Sequence, residues 1–445
     1  MAANSIINGE TGLSARTKLN AVLGDSYNVK LYGLVGDGVT DDRNALNTLL
    51  NTTAPSGSTI YFPTGNYFIG SNITVVDKQF NLIGSFATIS INANTQIFNI
   101  SSSVTAATKW RVENIIFSGS TVGLNQYAFY FSGNSGSFVI NNCTFLNFAG
   151  GGIAVVATEL NTRLGGLISL CKFYSNNIAI NLGFGRSEYI QIIGCDLFLN
   201  TIGINIAGGN CLINGNNINY NDTGIESISG INNGHGIISS NNINHNNVYA
   251  INIHDTADGM TIADNHLYAS TVRIANTSGI VISGGHMDSV SYVYDTNIGL
   301  EINGVRFPNS LANTTTLTGA KPRYTNCYHI DGRVVADSTI FYSEKTTFTN
   351  DGTYSIPAGY CIDSIVFNNT TANAVTGGIK IGTTNGGTDV IAAQAVAANA
   401  FVKVQPAAIL ISAFSMTAST TLFVQDVSSW NSASVDMYMK LKQVV

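Results

Sequence analysis

The sequence predicts an all-β protein: a right-handed parallel β-helix with an N-terminal capping α-helix and a C-terminal antiparallel β-sandwich. Three observations carry this expectation. A four-residue pattern ending in a large apolar residue returns nine times between Asn114 and Phe307, as in Asn142-Cys143-Thr144-Phe145, Gly194-Cys195-Asp196-Leu197 and Asp264-Asn265-His266-Leu267. Its spacings are 28, 28, 24, 21, 25, 24, 20 and 20 residues, within the range of one solenoid turn. Several repeats then continue into a small residue followed by Ile, at Gly152-Ile153, Ala179-Ile180, Gly203-Ile204, Gly224-Ile225 and Ala250-Ile251. Each repeat thus holds at least two period-2 runs, which bury alternate side chains, and two or three of these at about 3.3 Å per residue wrap once around a core.

Composition agrees. Only 10% of the 445 residues are charged while 44% are hydrophobic, so the surface must be solvated by Asn, Ser, Thr and Gly, a profile foreign to disordered chains. A solenoid core grows linearly, so this length fits one long domain and a smaller one. The balance is acidic, 20 basic against 26 acidic residues for a net charge of −6, and no Lys/Arg run exists; nucleic acid is not an expected partner. No apolar run approaches the ~20 residues of a membrane span, and the polar N-terminus lacks a secretory signal, so synthesis in a cytoplasm is expected.

Residues 1–30 read as a separate element with a short helix through Ala15–Leu23, capped by Thr11 or Ser14 and ended by Gly24. A lone amphipathic helix must pack on the solenoid end, on symmetry copies or on another protein. In Tyr32–Leu46 the glycines permit tight turns, and Asp41 with Asp42 offers an N-cap to a helix running to about Leu50. Gly57–Ile69 then reads as strand, Pro-Gly turn, strand. From 31 to 310 the repeats define the β-helix. In it Cys143, Cys171 and Cys195 share one inward column that Asn216, Asn241 and Asn265 continue, a structural ladder without chemistry. The six cysteines lack the tight spacing of a zinc site, and neither disulfide, metal nor cofactor is expected. The polar stretch 311–338 reads as a linker. Beyond it, 339–445 shows several strands with Gly, Asn and Thr turns, which read as a compact antiparallel β-sandwich. Trp430 there is either core or a sugar platform.

Two stretches carry a resemblance. Gly36-Asp37-Gly38-Val39-Thr40-Asp41-Asp42-Arg43-Asn44-Ala45-Leu46 followed by Ile60-Tyr61-Phe62-Pro63-Thr64-Gly65-Asn66-Tyr67-Phe68-Ile69 resembles the opening of the pectate-lyase-like β-helix superfamily, especially phage tailspikes and tail fibre depolymerases. The resemblance covers roughly residues 30 to 310. Residues 7–21 look like a segment found at the start of phage tail proteins. The resemblance implies a helix that caps the solenoid, a place in the virion (phage tail) attached to other tail or baseplate proteins through the N-terminus, a bacterial capsular polysaccharide or lipopolysaccharide as partner, and a C-terminal sandwich used for trimerisation or glycan binding. A homotrimer is expected because it would bury the outward apolar stripe of Leu146, Tyr174 and Phe198 and give the lone N-terminal helix a partner. It brings no active site: the calcium-binding Asp cluster and Arg base of the pectate lyases have no residue-by-residue counterpart here.

Outward positions therefore have to be read directly. Those flanking the apolar column, with Tyr174, Phe198 and Tyr268 among them, mix rings, amides and charge and suit either stacked sugars or a subunit interface together with Leu146. The turn after the small-Ile strand is charged in several repeats and brings Glu188, Glu226, His254, Asp255 and Asp258. Glycoside cleavage needs two carboxyls about 5 to 9.5 Å apart. Glu226 with Asp255 is the preferred couple, with Asp258 and Glu188 as substitutes and Asn252 and His254 beside them on substrate. The function expected is polysaccharide binding with depolymerisation by hydrolysis or elimination; the alternative is a non-catalytic receptor-binding or structural tail protein.

Overall fold

Alternation along each short strand decides what the chain builds. In the computed structural model, residues 26–443 are described apart from 103–108, 134–135, 157–164, 184–186, 228–234, 255–258, 289–290, 296–299, 308–313, 319–322, 330–339, 343–344, 357–359 and 405–418. Two units emerge, 1–322 with 329–331 and 323–328 with 332–445. The first is a parallel β-solenoid whose turns lay down three strands each, here called the first, second and third faces. One turn runs Gly166–Ser169, Lys172–Tyr174, Ile178–Leu182, and the next Ile190–Ile193, Asp196–Phe198, Ile202–Ile206. The first two faces form one sheet bent at a corner, while the third is an 11-stranded sheet.

The repeat columns sit in register. Phe117, Phe145, Phe173, Leu197, Ile218, Ile243, Leu267 and Met287 pair across successive second-face strands, all but fully buried. Phe117, Phe145 and Phe173 stack at centroid separations of 5.2 and 4.7 Å. The small-Ile column is Ile153, Ile180, Ile204, Ile225 and Ile251 on the third face. Rung length varies only in the connections.

Two turns per rung hold the stack. The first carries the expected column: the Sγ atoms of Cys143, Cys171 and Cys195 donate to carbonyls of Val112, Ile140 and Ile168. From there Asn216 Nδ2 donates to Asn241 Oδ1 and Asn241 Nδ2 to Asn265 Oδ1, both at 2.9 Å. Burial pushes the Cys171 thiol well above its ordinary range and that of Cys211 up to about 12, so these thiols stay protonated donors. A second ladder at the next corner went unread in the sequence: Asn176, Asn200, Asn221 and Asn246, ended by Ser270. At both corners the residue before the ladder takes a left-handed φ, as at Asn142 (50°), Leu170 (54°), Ser175 (54°) and Tyr220 (55°).

The N-terminal motif departs from expectation in detail. The helix spans Arg43–Thr48 and passes into a π-turn, Leu49–Thr53. Asp42 stands at its N-cap without capping it: the buried carboxylate accepts from the backbone N–H groups of Val35 (2.6 Å) and Gly36 (3.0 Å), and so pins the glycine loop instead. Asp41 accepts from Arg43 N and Gly70 N. Gly36 is demanded twice over, by its φ of +66° and because a Cβ there would lie 2.7 Å from the Tyr67 ring. Leu46, Leu49 and Leu50 are buried, covering the solenoid's first turns.

Two boundaries move. Ser26–Asn28 already pairs in parallel with Thr59–Phe62, so the solenoid begins inside the stretch read as the N-terminal segment 1–30; the expected helix at 15–23 lies outside the described residues. Thr314–Thr318 pairs with Ser291–Asp295 on the third face, inside the stretch read as the linker 311–338. A Thr-rich run lacks the apolar alternation that betrays a strand, yet Thr is a good strand former once a ladder edge offers it partners.

The second unit is antiparallel, a sheet of Ile340–Tyr342, Thr346–Phe348, Tyr360–Asn369, Phe401–Val404 and Val435–Gln443 and another of Gly352–Ile356, Val375–Gly382, Ile391–Val396 and Thr420–Asp426. Both contribute to one core, Phe367 and Met437 from the first and Ile379 and Leu422 from the second. Trp430 belongs to that core: it packs on Phe348, and its Nε1 donates to Asp351 at 2.8 Å.

This unit has an acid weakness. Burial raises the Asp351 carboxyl, but hydrogen bonds from Trp430, the Asp426 N–H and Gln425 outweigh it and hold the group below its ordinary value. At Asp436 burial is likewise overcome, by Thr347 and Lys345. A depressed folded-state pKa stabilises above the unfolded value of about 3.9, and that stability is lost as pH falls through the folded value. The sandwich is expected to melt at a constant temperature from neutrality down to about pH 5 and progressively lower below about pH 4. Thermal melts across that range check this, and Asp351→Asn should flatten the slope.

Candidate functional site

On the third face the residue after each core Ile points away from the core. Strand pairing sets these outward residues one above another: Tyr130, Ala154, Asn181, Asn205, Glu226, Asn252 and Arg273. The column is linked from its middle onward. Asn205 Nδ2 donates to Asn181 Oδ1 (3.2 Å), Asn252 Nδ2 to Glu226 Oε1 (3.0 Å) and Arg273 Nη1 to Asn252 Oδ1 (3.1 Å). His254, two residues beyond Asn252 on the same side of its strand, places Nε2 3.5 Å from Glu226 Oε1. The side chains of His254 and Glu226 are 17% and 20% exposed, enough for a ligand to reach them and little enough to weaken screening by water. Asn205 is buried, and its Oδ1 has no hydrogen-bond partner among the described residues. At the N-terminal end, burial raises the phenol of Tyr127, which is hydrogen-bonded to Asn181, and its ring lies 5.8 Å from that of Tyr130.

The arrangement can hold a carboxylate ready for proton transfer, with an amide donor on one oxygen, an imidazole beside it and a guanidinium one residue further along the column. Among the described residues no group of three or more His, Cys, Asp or Glu side chains is placed to hold a metal ion, and no helix is long and apolar enough to cross a membrane.

Of the residues singled out from the sequence, Glu226, Asn252 and His254 come together here. Asp255 and Asp258 lie outside the described residues, though Asp255 directly follows His254 in the chain. Glu188 is half-buried in the connection leading to the first-face strand Ile190–Ile193, near enough to Cys211 to raise its thiol. Tyr174, Phe198 and Tyr268 are on the second face, in a different sheet from Glu226 and beyond the Asn176–Asn246 ladder turn. Asn205 and Arg273 were missed. The signal was present, since each is the residue after the core position of its strand, Ile204 and Val272, as Glu226 and Asn252 are.

Comparisons with known proteins bear on this arrangement. The profile of the family described as Rhamnogalacturonase A/epimerase, pectate lyase-like, matches residues 26–274. Among curated proteins a segment of 47 residues is 49% identical to a non-secreted LysM effector of Penicillium expansum; it makes up 11% of this chain, which spans 4% of that protein. Among solved structures, the Agl-KA catalytic domain superposes with a TM-score of 0.51 at 16% identity, over 71% of this chain and 66% of that one. The Dettilon tailspike protein gives 0.47 at 12% identity over 98% and 97%, and an Acinetobacter phage tailspike protein 0.44 at 12% over 99% and 91%. At 16% identity the superposition on the Agl-KA catalytic domain speaks for the fold alone.

Proposed function

Because this chain belongs to the rhamnogalacturonase A/epimerase, pectate lyase-like family, we propose that it acts on a polysaccharide, as a phage tailspike or tail fibre protein that binds the capsule or lipopolysaccharide of a bacterium and cleaves it. The observation that carries the cleavage is the carboxylate of Glu226 held by Asn252 with His254 at 3.5 Å, both side chains partly exposed. In this reading Glu226 transfers the proton at the scissile glycosidic bond. His254 orients it, and Arg273 steadies Asn252. Asp255 is the second carboxylate that hydrolysis requires, with Asp258 and Glu188 as substitutes. The virion assignment is supported by the opening motifs Gly36–Leu46 and Ile60–Ile69 and by residues 7–21; a homotrimer attached through the N-terminal segment goes with it.

The test is to incubate the protein with purified capsular polysaccharides and lipopolysaccharides, following new reducing ends together with the ultraviolet absorbance of an unsaturated sugar. Reducing ends alone indicate hydrolysis, and both signals together indicate elimination. No product from any of them would leave the protein a receptor-binding module.

A further inference from the structure

The second face carries a feature independent of Glu226. Five rings, Tyr174, Phe198, Tyr220, His245 and Tyr268, form an unbroken row along the solenoid axis, with successive centroids 6.1, 5.3, 5.1 and 5.1 Å apart. Register alone does not build it. Tyr174, Phe198 and Tyr268 share one outward column, but the two rungs between them place Asn219 and Asn244 there. At those rungs the ring comes from the next residue, Tyr220 or His245, whose left-handed φ of 55° or 50° turns the chain toward the buried ladder residues Asn221 and Asn246. The corner that stabilises the solenoid thus also completes the row.

All five rings are exposed. A run of exposed aromatics on a rigid scaffold marks a binding surface. Its chemistry favours sugar over a second copy of the chain. Successive centroids are separated by about the length of one pyranose residue, Tyr174 with Phe198 and Tyr220 with His245 lying near-parallel (14° and 8°) and the steps after each turning by 64° and 60°. The neighbouring outward column, Lys172, Asp196, Asn217, Asn242 and His266, holds two amides, an imidazole and one charge of each sign, suited to hydroxyls. Leu146, the aliphatic member of the stripe that an interface would bury, is half-buried already. Asn244 Oδ1, in the ring column, accepts no hydrogen bond from the described residues.

We propose that this row is a second, non-catalytic binding track for polysaccharide, on which a glycan chain lies along the solenoid axis with successive sugars stacked on successive rings. The track rests on the reading of the protein as polysaccharide-binding and not on Glu226, so the two can fail separately. The experiment measures binding of the intact protein, the Tyr220→Ala/Tyr268→Ala double variant and Val39→Ala, an exposed substitution on the N-terminal glycine loop, to immobilised capsular polysaccharides and smooth lipopolysaccharides, with sedimentation of each. Removing two rings should weaken polymer binding roughly ten-fold or more at unchanged sedimentation, while Val39→Ala binds as the wild type does. Equal binding by the double variant, absence of wild-type binding to every glycan, or dissociation of subunits in the double variant would each overturn the track, the last by making the row an interface between copies.

Discussion

Glu226→Gln is expected to lower the rate of polysaccharide cleavage by about 10²–10⁴-fold, the range contributed by one positioned acid or base, with the solenoid left folded. The substitution is nearly isosteric, and the Gln carbonyl can still accept from Asn252 Nδ2, so the column on the third face keeps its 3.0 Å link. What disappears is the titratable proton. His254→Ala should cost less, because the imidazole at 3.5 Å orients the carboxylate without replacing it. Initial rates on a cleaved glycan, with circular dichroism and a melting curve for each variant, decide the matter. A Glu226→Gln protein that cleaves at the wild-type rate would move the chemistry to Asp255, Asp258 or Glu188.

The largest loss of stability is expected from the second ladder. Asn221 Oδ1 accepts from both the backbone N–H and Nδ2 of Asn200 at 2.9 Å, while its own Nδ2 donates to the Leu197 carbonyl (3.2 Å) and to Asn246 Oδ1 (3.1 Å). Asn221→Ala leaves the buried Asn200 N–H without its partner, takes one of the two bonds of Asn200 Nδ2, whose other goes to the Phe173 carbonyl, and removes a donor from the Leu197 carbonyl. At about 1–3 kcal/mol for the orphaned N–H and less for each group that keeps another bond, the loss is on the order of 2–5 kcal/mol. Asn247→Ala, next to the ladder residue Asn246 and exposed, removes a single surface bond to Asp222 and should cost under about 0.5 kcal/mol. Chemical denaturation of the two variants side by side checks the contrast. Similar midpoints would mean that water replaces the ladder bonds and that the ladder is not what holds the rungs.

Much of the solenoid was legible because its determinant is local and repetitive. An apolar residue every 20 to 28 positions and a small-Ile pair in several repeats constrain the chain wherever they occur, and a one-residue slip would turn Phe145 or Ile180 out to water. The inward column from Cys143 to Asn265 followed from the same register. Glu226, Asn252 and His254 could be picked out as charged or polar residues beside a core Ile.

What tertiary structure alone decided is which residues meet across rungs. Tyr220 and His245 join the ring row only because a left-handed corner moves them beside Phe198 and Tyr268, 22 and 23 residues from them in sequence. Arg273 reaches Asn252 only because connections of unequal length leave the third-face strands in register. Asp42, which local chemistry marks as a helix cap, is drawn away by two N–H groups of the glycine loop that sequence cannot weigh against the helix end. Thr314–Thr318 is a strand for the sake of the edge it joins. Sequence specified the column each residue occupies, through a side-chain period of two and a near-constant rung; contacts between columns depend on corner geometry and loop length, which are properties of the assembled stack.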